Sequence, residues 1–180
     1  MPDPDKIVTQ LQDSIKDCII AVRDRFGTSE LEISAVRIEQ VVRFLRDDPG
    51  LDYNMLVDLL GVDYLEYPDN AGNRFSVVYH LKSLKYGNRI SLRVRLPGVD
   101  PSVPTISNLY KNANWLEREV YDQYGINFFG HNNMRRLLNH HQFVGHPLRK
   151  DYPIAQRQPL STSDSLLDQM DVRLKEKGYL

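Results

Sequence analysis

The 180-residue sequence has one cysteine, Cys18. That scarcity excludes an internal disulfide, a thiolate zinc site and an iron–sulfur cluster of the ordinary four-cysteine kind held by this chain alone, and it suits a reducing compartment. Long apolar runs are missing too, since no stretch approaches the ~20 residues that cross a bilayer. The N-terminus, with Asp3 and Asp5 and no basic start before an apolar run, does not read as a secretory leader. The expectation is a soluble or at most peripheral protein. No repeat or low-complexity segment is present. No GxGxxG follows a strand, and GxxxxGK[ST], GxSxG and HExxH are all absent, so nucleotide loops, nucleophile elbows and zincin helices are excluded.

Net charge is also small, −1 from 23 basic and 24 acidic side chains, but it is unevenly distributed. Residues 1–70 carry 7 basic and 15 acidic side chains, residues 71–129 carry 8 and 4, residues 130–160 carry 5 and 1, and residues 161–180 carry 3 and 4. An acidic front and a basic back imply either a charged partner or self-complementary packing. The acidic front, a pI near 6.5 and the lack of any recognition motif argue against nucleic acid.

What is present reads as an α+β fold. Val8, Leu11, Ile15, Ile19, Val22 and Phe26 recur three or four apart, which predicts one amphipathic helix over Ile7–Phe26, stopped at Gly27. Leu31–Ile33 suits a short strand, Ile38, Val41, Val42 and Leu45 a second helix ending before Pro49, and Leu51–Tyr64 a strand closed by a turn at Pro68, Asp69, Asn70 and Gly72. Phe75, Val77, Tyr79 and Leu81, then Ile90, Leu92, Val94 and Leu96, alternate with polar positions around Gly87-Asn88. This is a hairpin with one apolar face and one face carrying Arg93 and Arg95. The fold class expected is a mixed or antiparallel sheet with helices on one face, followed by an extended C-terminal arm and a short tail helix. The boundary falls near residue 130, with residues 1–130 as the α+β domain and residues 131–180 as a basic arm and tail docking on partners.

Asn114–Gly125 predicts a short helix, with Asn114 as a cap and Gly125 as the stop. Arg118 and Asp122 are spaced to pair, whereas Glu117 and Glu119, about 200° apart around a helix, cannot form one acid/base couple. Salt bridges within the fold or to a partner are the better reading of these charges. His131, His140, His141 and His146 have no metal-ligand spacing, and His80 reads as a sheet-surface residue. Gly145–Pro153 is extended because its prolines restrict the preceding residues, leaving backbone groups and the Leu148 and Tyr152 side chains in need of partners. Arg135 and Arg149 there offer bidentate carboxylate pairing. Near Ser163 a tail helix begins, with Leu166, Leu167, Met170 and Leu174 as its stripe.

The run Asn114–Ile126 containing Glu117-Arg118-Glu119 and Asp122, then Phe129-Gly130-His131, Arg135-Arg136-Leu137-Leu138 and Gly145-His146-Pro147-Leu148-Arg149-Lys150-Asp151-Tyr152-Pro153, resembles the thirty-kilodalton subunit of respiratory complex I. Val57–Tyr64, Arg74–Leu81 and Val103–Thr105 extend the resemblance over about residues 51–153. It implies a cofactor-free subunit of the peripheral arm of a proton-translocating NADH-quinone oxidoreductase. NADH, FMN, iron–sulfur clusters and quinone would then be bound by partners, chiefly the forty-nine-kilodalton quinone-site subunit and the cluster-bearing subunits. The implied location is the cytoplasmic face of a bacterial cell membrane, with membrane contact only through the complex. No residue of this chain is then catalytic. Glu117, Arg118, Glu119, Asp122, Gly130, His131, Arg135, Arg136, Gly145, His146, Pro147, Arg149, Lys150 and Asp151 become interface and fold-stabilising residues, and the basic excess of residues 71–160 should face an acidic protein surface. The same subunit type in a related membrane-bound hydrogenase or ferredoxin-linked complex is the alternative. A metal-dependent hydrolase using Glu119, Asp122 and His131 is a third, minor reading.

Overall fold

The computed structural model describes residues 4–25, 28–68, 72–156, 158 and 162–178. Helix α1 (Pro4–Ser14) leads into strands β1 (Ile19–Arg25) and β2 (Thr28–Ile33), helix α2 (Ile38–Asp47), and strands β3 (Met55–Asp63), β4 (Phe75–Lys82) and β5 (Arg89–Leu96). A short strand β6 (Ser102–Pro104), helix α3 (Ala113–Tyr124), a short strand β7 (Asn127–Phe129), the arm and helix α4 (Thr162–Glu176) follow. The main sheet has the order β1-β2-β5-β4-β3, with every pair antiparallel except β2 with β5. β6 and β7 form a separate parallel pair.

The alternation in β4 and β5 explains the packing. Phe75, Val77, Tyr79 and Leu81 lie opposite Leu96, Val94, Leu92 and Ile90, and all eight are buried. Above them lie Ile38, Val41, Val42 and Leu45 of α2, each 0% exposed, and Ile7 and Leu11 of α1. Truncating Leu45 to Ala would cost about 2–5 kcal/mol, the usual penalty for opening a cavity in such a core. α3 uses the same face. Its Tyr124 ring rests on Gly61 of β3, where an added Cβ would come within 2.7 Å of the ring, so the close approach requires glycine.

The opposite face is ionic. Glu30 and Glu32 of β2 lie in register with Ser91 and Arg93 of the parallel β5. Arg93 grips Glu30 bidentately at 3.0 and 2.7 Å and also donates to the Tyr64 hydroxyl. Arg95 pairs with Glu32 at 3.3 Å, and Arg23 of β1 donates to Glu32 at 2.9 Å. Part of the acidic front therefore neutralises part of the basic back inside one sheet.

The N-terminal expectation needs correction. The helix stops at Ser14, Asp17 takes a left-handed φ of 55°, and Ile19–Arg25 is an edge strand paired with β2. Ile15, Ile19 and Val22 satisfy helical spacing. The run Ile19-Ile20-Ala21-Val22, however, is rich in β-branched residues, and strand pairing with β2 prevails over periodicity. Phe26, Gly27, Asp69 and Asn70 of the sequence reading lie outside the described residues. The tail helix forms as expected from Thr162, and all its described side chains, Leu166, Leu167, Met170 and Leu174 among them, are exposed. No helix among the described residues is long and apolar enough to cross a membrane.

Candidate functional site

α3 and the arm form the motif-bearing region. α3 starts at Ala113, so Asn114 lies within it rather than capping it. Asn112 occupies the cap position, and its side chain donates to Leu56 O at 2.9 Å instead. Gly125, with φ 72°, ends the helix in the left-handed conformation that glycine adopts without steric cost, and its N–H bonds Tyr121 O at 2.8 Å.

Glu117 is fully buried. Its carboxylate accepts from Thr105 Oγ1 at 2.5 Å and from Ile106 N at 2.7 Å, and so fixes the loop after β6. Burial pushes its carboxyl up to about 7 against the pull of those two bonds. His131 Nδ1 accepts from Asn133 N at 3.0 Å, so its proton is on Nε2, 3.3 Å from Asn114 O and 4.0 Å from Glu117 Oε2. Glu119, on the other side of the helix, is exposed and makes no hydrogen bond or ion pair among the described residues.

Asp122 is also fully buried, and it does not pair with Arg118. Arg118 donates instead to the Arg135 and Arg136 carbonyls at 3.1 Å each and lies 5.0 Å from the Trp115 ring centre. Asp122 Oδ2 accepts the backbone N–H groups of Leu137, Leu138 and Asn139 at 3.0, 2.8 and 2.8 Å. Oδ1 takes Arg136 Nη1 at 2.7 Å and Asn139 Nδ2 at 3.0 Å. Burial alone would raise this carboxyl, but the donors from Asn139, Arg136 and Leu138 outweigh it and hold it at about 2. Arg136 reaches onward to Gly145 O at 2.9 Å. The 3.6-residue rule brought Arg118 and Asp122 near one another, but a carboxylate surrounded by backbone donors from a loop 15 to 17 residues away leaves no lone pair for that contact.

The GHPLRKDYP arm runs along the same edge, in consecutive turns rather than the extended form expected for Gly145–Pro153: Arg149 N bonds His146 O at 3.2 Å and Tyr152 N bonds Arg149 O at 3.0 Å. His146 Nδ1 donates to Asp122 O at 3.0 Å, Leu148 N to Gln123 O at 3.1 Å and Arg149 Nε to Tyr124 O at 2.6 Å, so the arm satisfies the last carbonyls of α3. Gly145 has φ 92°, and the Tyr152 ring packs where its Cβ would be, at 2.8 Å. Gly130 turns with φ 83° after β7, and Pro147 lies between His146 and Leu148 in the bonded stretch.

Sequence reasoning missed the second anchor. Asp63, at the end of β3 with its side chain fully buried, takes Arg74 bidentately at 3.0 and 2.8 Å, Leu65 N at 3.0 Å and Lys150 N at 2.9 Å. Burial would push its carboxyl up, but Arg74, Lys150 and Leu65 hold it below the usual carboxylate range. Arg74 also bonds Asp151 at 2.9 and 2.6 Å. The signal was Asp63 and Arg74 facing each other at the ends of two adjacent predicted strands.

Residues 131–153 are thus tied to the sheet domain by Asp63, Arg74 and Asp122. Arg74, Arg93, Arg95 and Arg136 find their carboxylates within the chain, so much of the basic excess expected to face a partner is neutralised internally. Arg135 and Lys150 remain exposed, as do Trp115, Phe129, Leu138, Val144 and Leu148. Among the described residues no three His, Cys, Asp or Glu side chains are grouped to hold a metal, and Glu119 is turned away from Asp122 and His131. Cys18 is buried with its thiol donating to Leu11 O at 3.7 Å, and burial pushes the thiol up.

A mixed main sheet backed by helices on one face, with a motif-rich arm hydrogen-bonded to the end of α3, defines an α+β domain. The chain belongs to the family of the respiratory-chain NADH dehydrogenase 30 kDa subunit, whose model matches residues 31–158. It is 46% identical over 132 residues to an NADH-quinone oxidoreductase subunit of Cupriavidus pinatubonensis, which covers 72% of this chain. The chain spans 66% of that relative's length. Among solved structures, a trypsin-resistant fragment (1–134) of Nqo5 is 34% identical with a TM-score of 0.61, covering 71% of this chain and 98% of the fragment. A chain of the membrane-bound sulfane sulfur reductase, an archaeal respiratory membrane complex, shares the fold at 23% identity and a TM-score of 0.66, covering 84% of this chain and 86% of that one.

Proposed function

We propose that this chain is a structural and assembly subunit of the peripheral arm of a proton-translocating NADH-quinone oxidoreductase, without a cofactor of its own. It supports electron flow from NADH to quinone by holding cluster-bearing neighbours and the forty-nine-kilodalton quinone-site subunit in place, at the cytoplasmic face of the membrane. NADH, FMN, the clusters and quinone belong to those partners.

The observation that carries this reading is where the family's motif residues spend their bonding capacity. Glu117, Arg118, Asp122, Arg136, His146 and Arg149 are committed to loop N–H groups, helix-end carbonyls and each other. Such a network makes a rigid platform. The platform leaves exposed apolar side chains, Trp115, Phe129, Leu138, Val144 and Leu148, available for protein contact.

Deleting the gene tests it. Membranes from the deletion strain should lose NADH-driven quinone reduction and regain it with the wild-type chain. Unchanged NADH-driven quinone reduction would overturn the proposal.

A further inference from the structure

Beside the arm, the 98–102 segment, the end of α3 and β7 border an open cleft of about 660 Å³ lined by Asp100, Ser102, Gly125, Asn127, His146 and Arg149. We propose that this cleft receives an aspartate or glutamate side chain from a partner subunit, bound by Arg149 and His146. The inference rests on the chain's place in a multisubunit complex.

Arg149 carries the argument. Arg74, Arg93 and Arg136 each meet a buried carboxylate of this chain. Arg149 does not. Its Nε is spent on Tyr124 O at 2.6 Å and its guanidinium lies 5.1 Å from the Phe75 ring centre, yet no carboxylate lies within ion-pairing distance among the described residues. A partly buried cation with no carboxylate in contact is costly unless a partner completes it. Burial lowers its proton affinity and nearby Arg74 adds to that, while Asp151 and Asp63, beyond ion-pairing distance, offset only part of it.

His146 supplies the second contact. Its Nδ1 donates to Asp122 O, so Nε2 points the other way. A Cβ built on Gly125 would lie 2.5 Å from both Arg149 Nη2 and His146 Nε2. The two nitrogens therefore converge over Gly125, and the missing side chain leaves them room. An incoming carboxylate can accept from the guanidinium with one oxygen and from His146 Nε2 with the other; burial and the neighbouring Arg149 and Arg136 lower that ring's proton affinity, and the arriving negative charge opposes them. Asp100 on the same lining weakens the pull on any incoming anion, and it can accept hydrogen bonds from the N–H groups of a peptide that carries the carboxylate, which a free anion lacks.

The test uses the assembled complex. In a Lys150→Arg background, Arg149→Lys places a primary amine at the cleft, and a zero-length carbodiimide then couples that amine only to a carboxylate in contact with it. An isopeptide between position 149 and an aspartate or glutamate of another subunit is the expected product, with the Arg149 chain as the blank. No product, or a link only to a carboxylate of this chain such as Asp100, overturns the inference. Asn127→Glu adds a like charge at the mouth without touching the α3 cap and should reduce recovery of the chain with its partners about tenfold relative to Asn127→Gln. Equal recovery of the two also overturns it. A wild-type chain that recovers no partner at all would instead remove the proposed function, and the inference with it.

Discussion

Arg136 Nη1 donates to Asp122 Oδ1 at 2.7 Å, joining the arm to α3 across 14 residues and completing a carboxylate that already holds three backbone N–H groups. Breaking this pair should leave an uncompensated buried charge. Asp122→Ala is expected to destabilise the chain by about 3–5 kcal/mol in urea unfolding. A double-mutant cycle should give a coupling energy of at least about 1.5 kcal/mol for Asp122 with Arg136, and within about 0.5 kcal/mol of zero for Asp122 with Arg118, which bonds other groups.

Glu117 and Asp122 give stability opposite pH dependences. Glu117 is pushed up to about 7 by burial, whereas an unfolded glutamate titrates near ~4.3. Above pH 7 the buried carboxylate is charged in both states and the folded one bears the whole penalty, roughly 3–4 kcal/mol; below about pH 4 it is protonated in both and the penalty disappears. Stability should therefore fall as pH rises from about 4 to 7. Asp122, held at about 2, contributes stability that is present above about pH 4 and lost as pH falls toward 2. Unfolding of Glu117→Gln across pH 2–8 should lack the upper slope and retain the lower one.

Gly125→Ala should detach the arm. The new Cβ meets a left-handed φ of 72° and two nitrogens at 2.5 Å. Gly87→Ala, with φ 74° but open space around it, isolates the backbone cost of about 1 kcal/mol. Hydrogen exchange should show residues 145–153 deprotected in the first variant and unchanged in the second.

Asp63 and Asp151 share Arg74 but should behave unequally. The Asp63 side chain is fully buried and also takes Lys150 N, whereas that of Asp151 is 52% exposed. Asp63→Ala is expected to cost about 3 kcal/mol or more and Asp151→Ala under about 1 kcal/mol, measured by urea unfolding.

The hairpin was legible in the sequence. Phe75–Lys82 and Ile90–Leu96 alternate cleanly and their turn is marked by Gly87-Asn88, so periodicity and turn chemistry agree. α2 was legible for the same reason. The end of α1 was not, because Ile15, Ile19 and Val22 keep helical spacing past Ser14, and only the β-branched run Ile19-Ile20-Ala21-Val22 and its pairing with β2 decide for a strand. At the site, the position of α3 and its Gly125 stop were readable from local signals. The partner of Asp122 was not, because its donors come from a loop whose path depends on the whole fold. Glu30 and Glu32, spaced two apart to match Arg93 and Arg95, held the clue to the ionic sheet face once β2 was seen to lie beside β5.

Affinity capture of the tagged chain from detergent-solubilised membranes is the decisive measurement. The chain should elute in a large assembly together with iron–sulfur-bearing subunits and NADH-quinone reductase activity. Elution as a free protein of 20.9 kDa, with that activity in other fractions, would contradict the proposed role as a subunit of the enzyme.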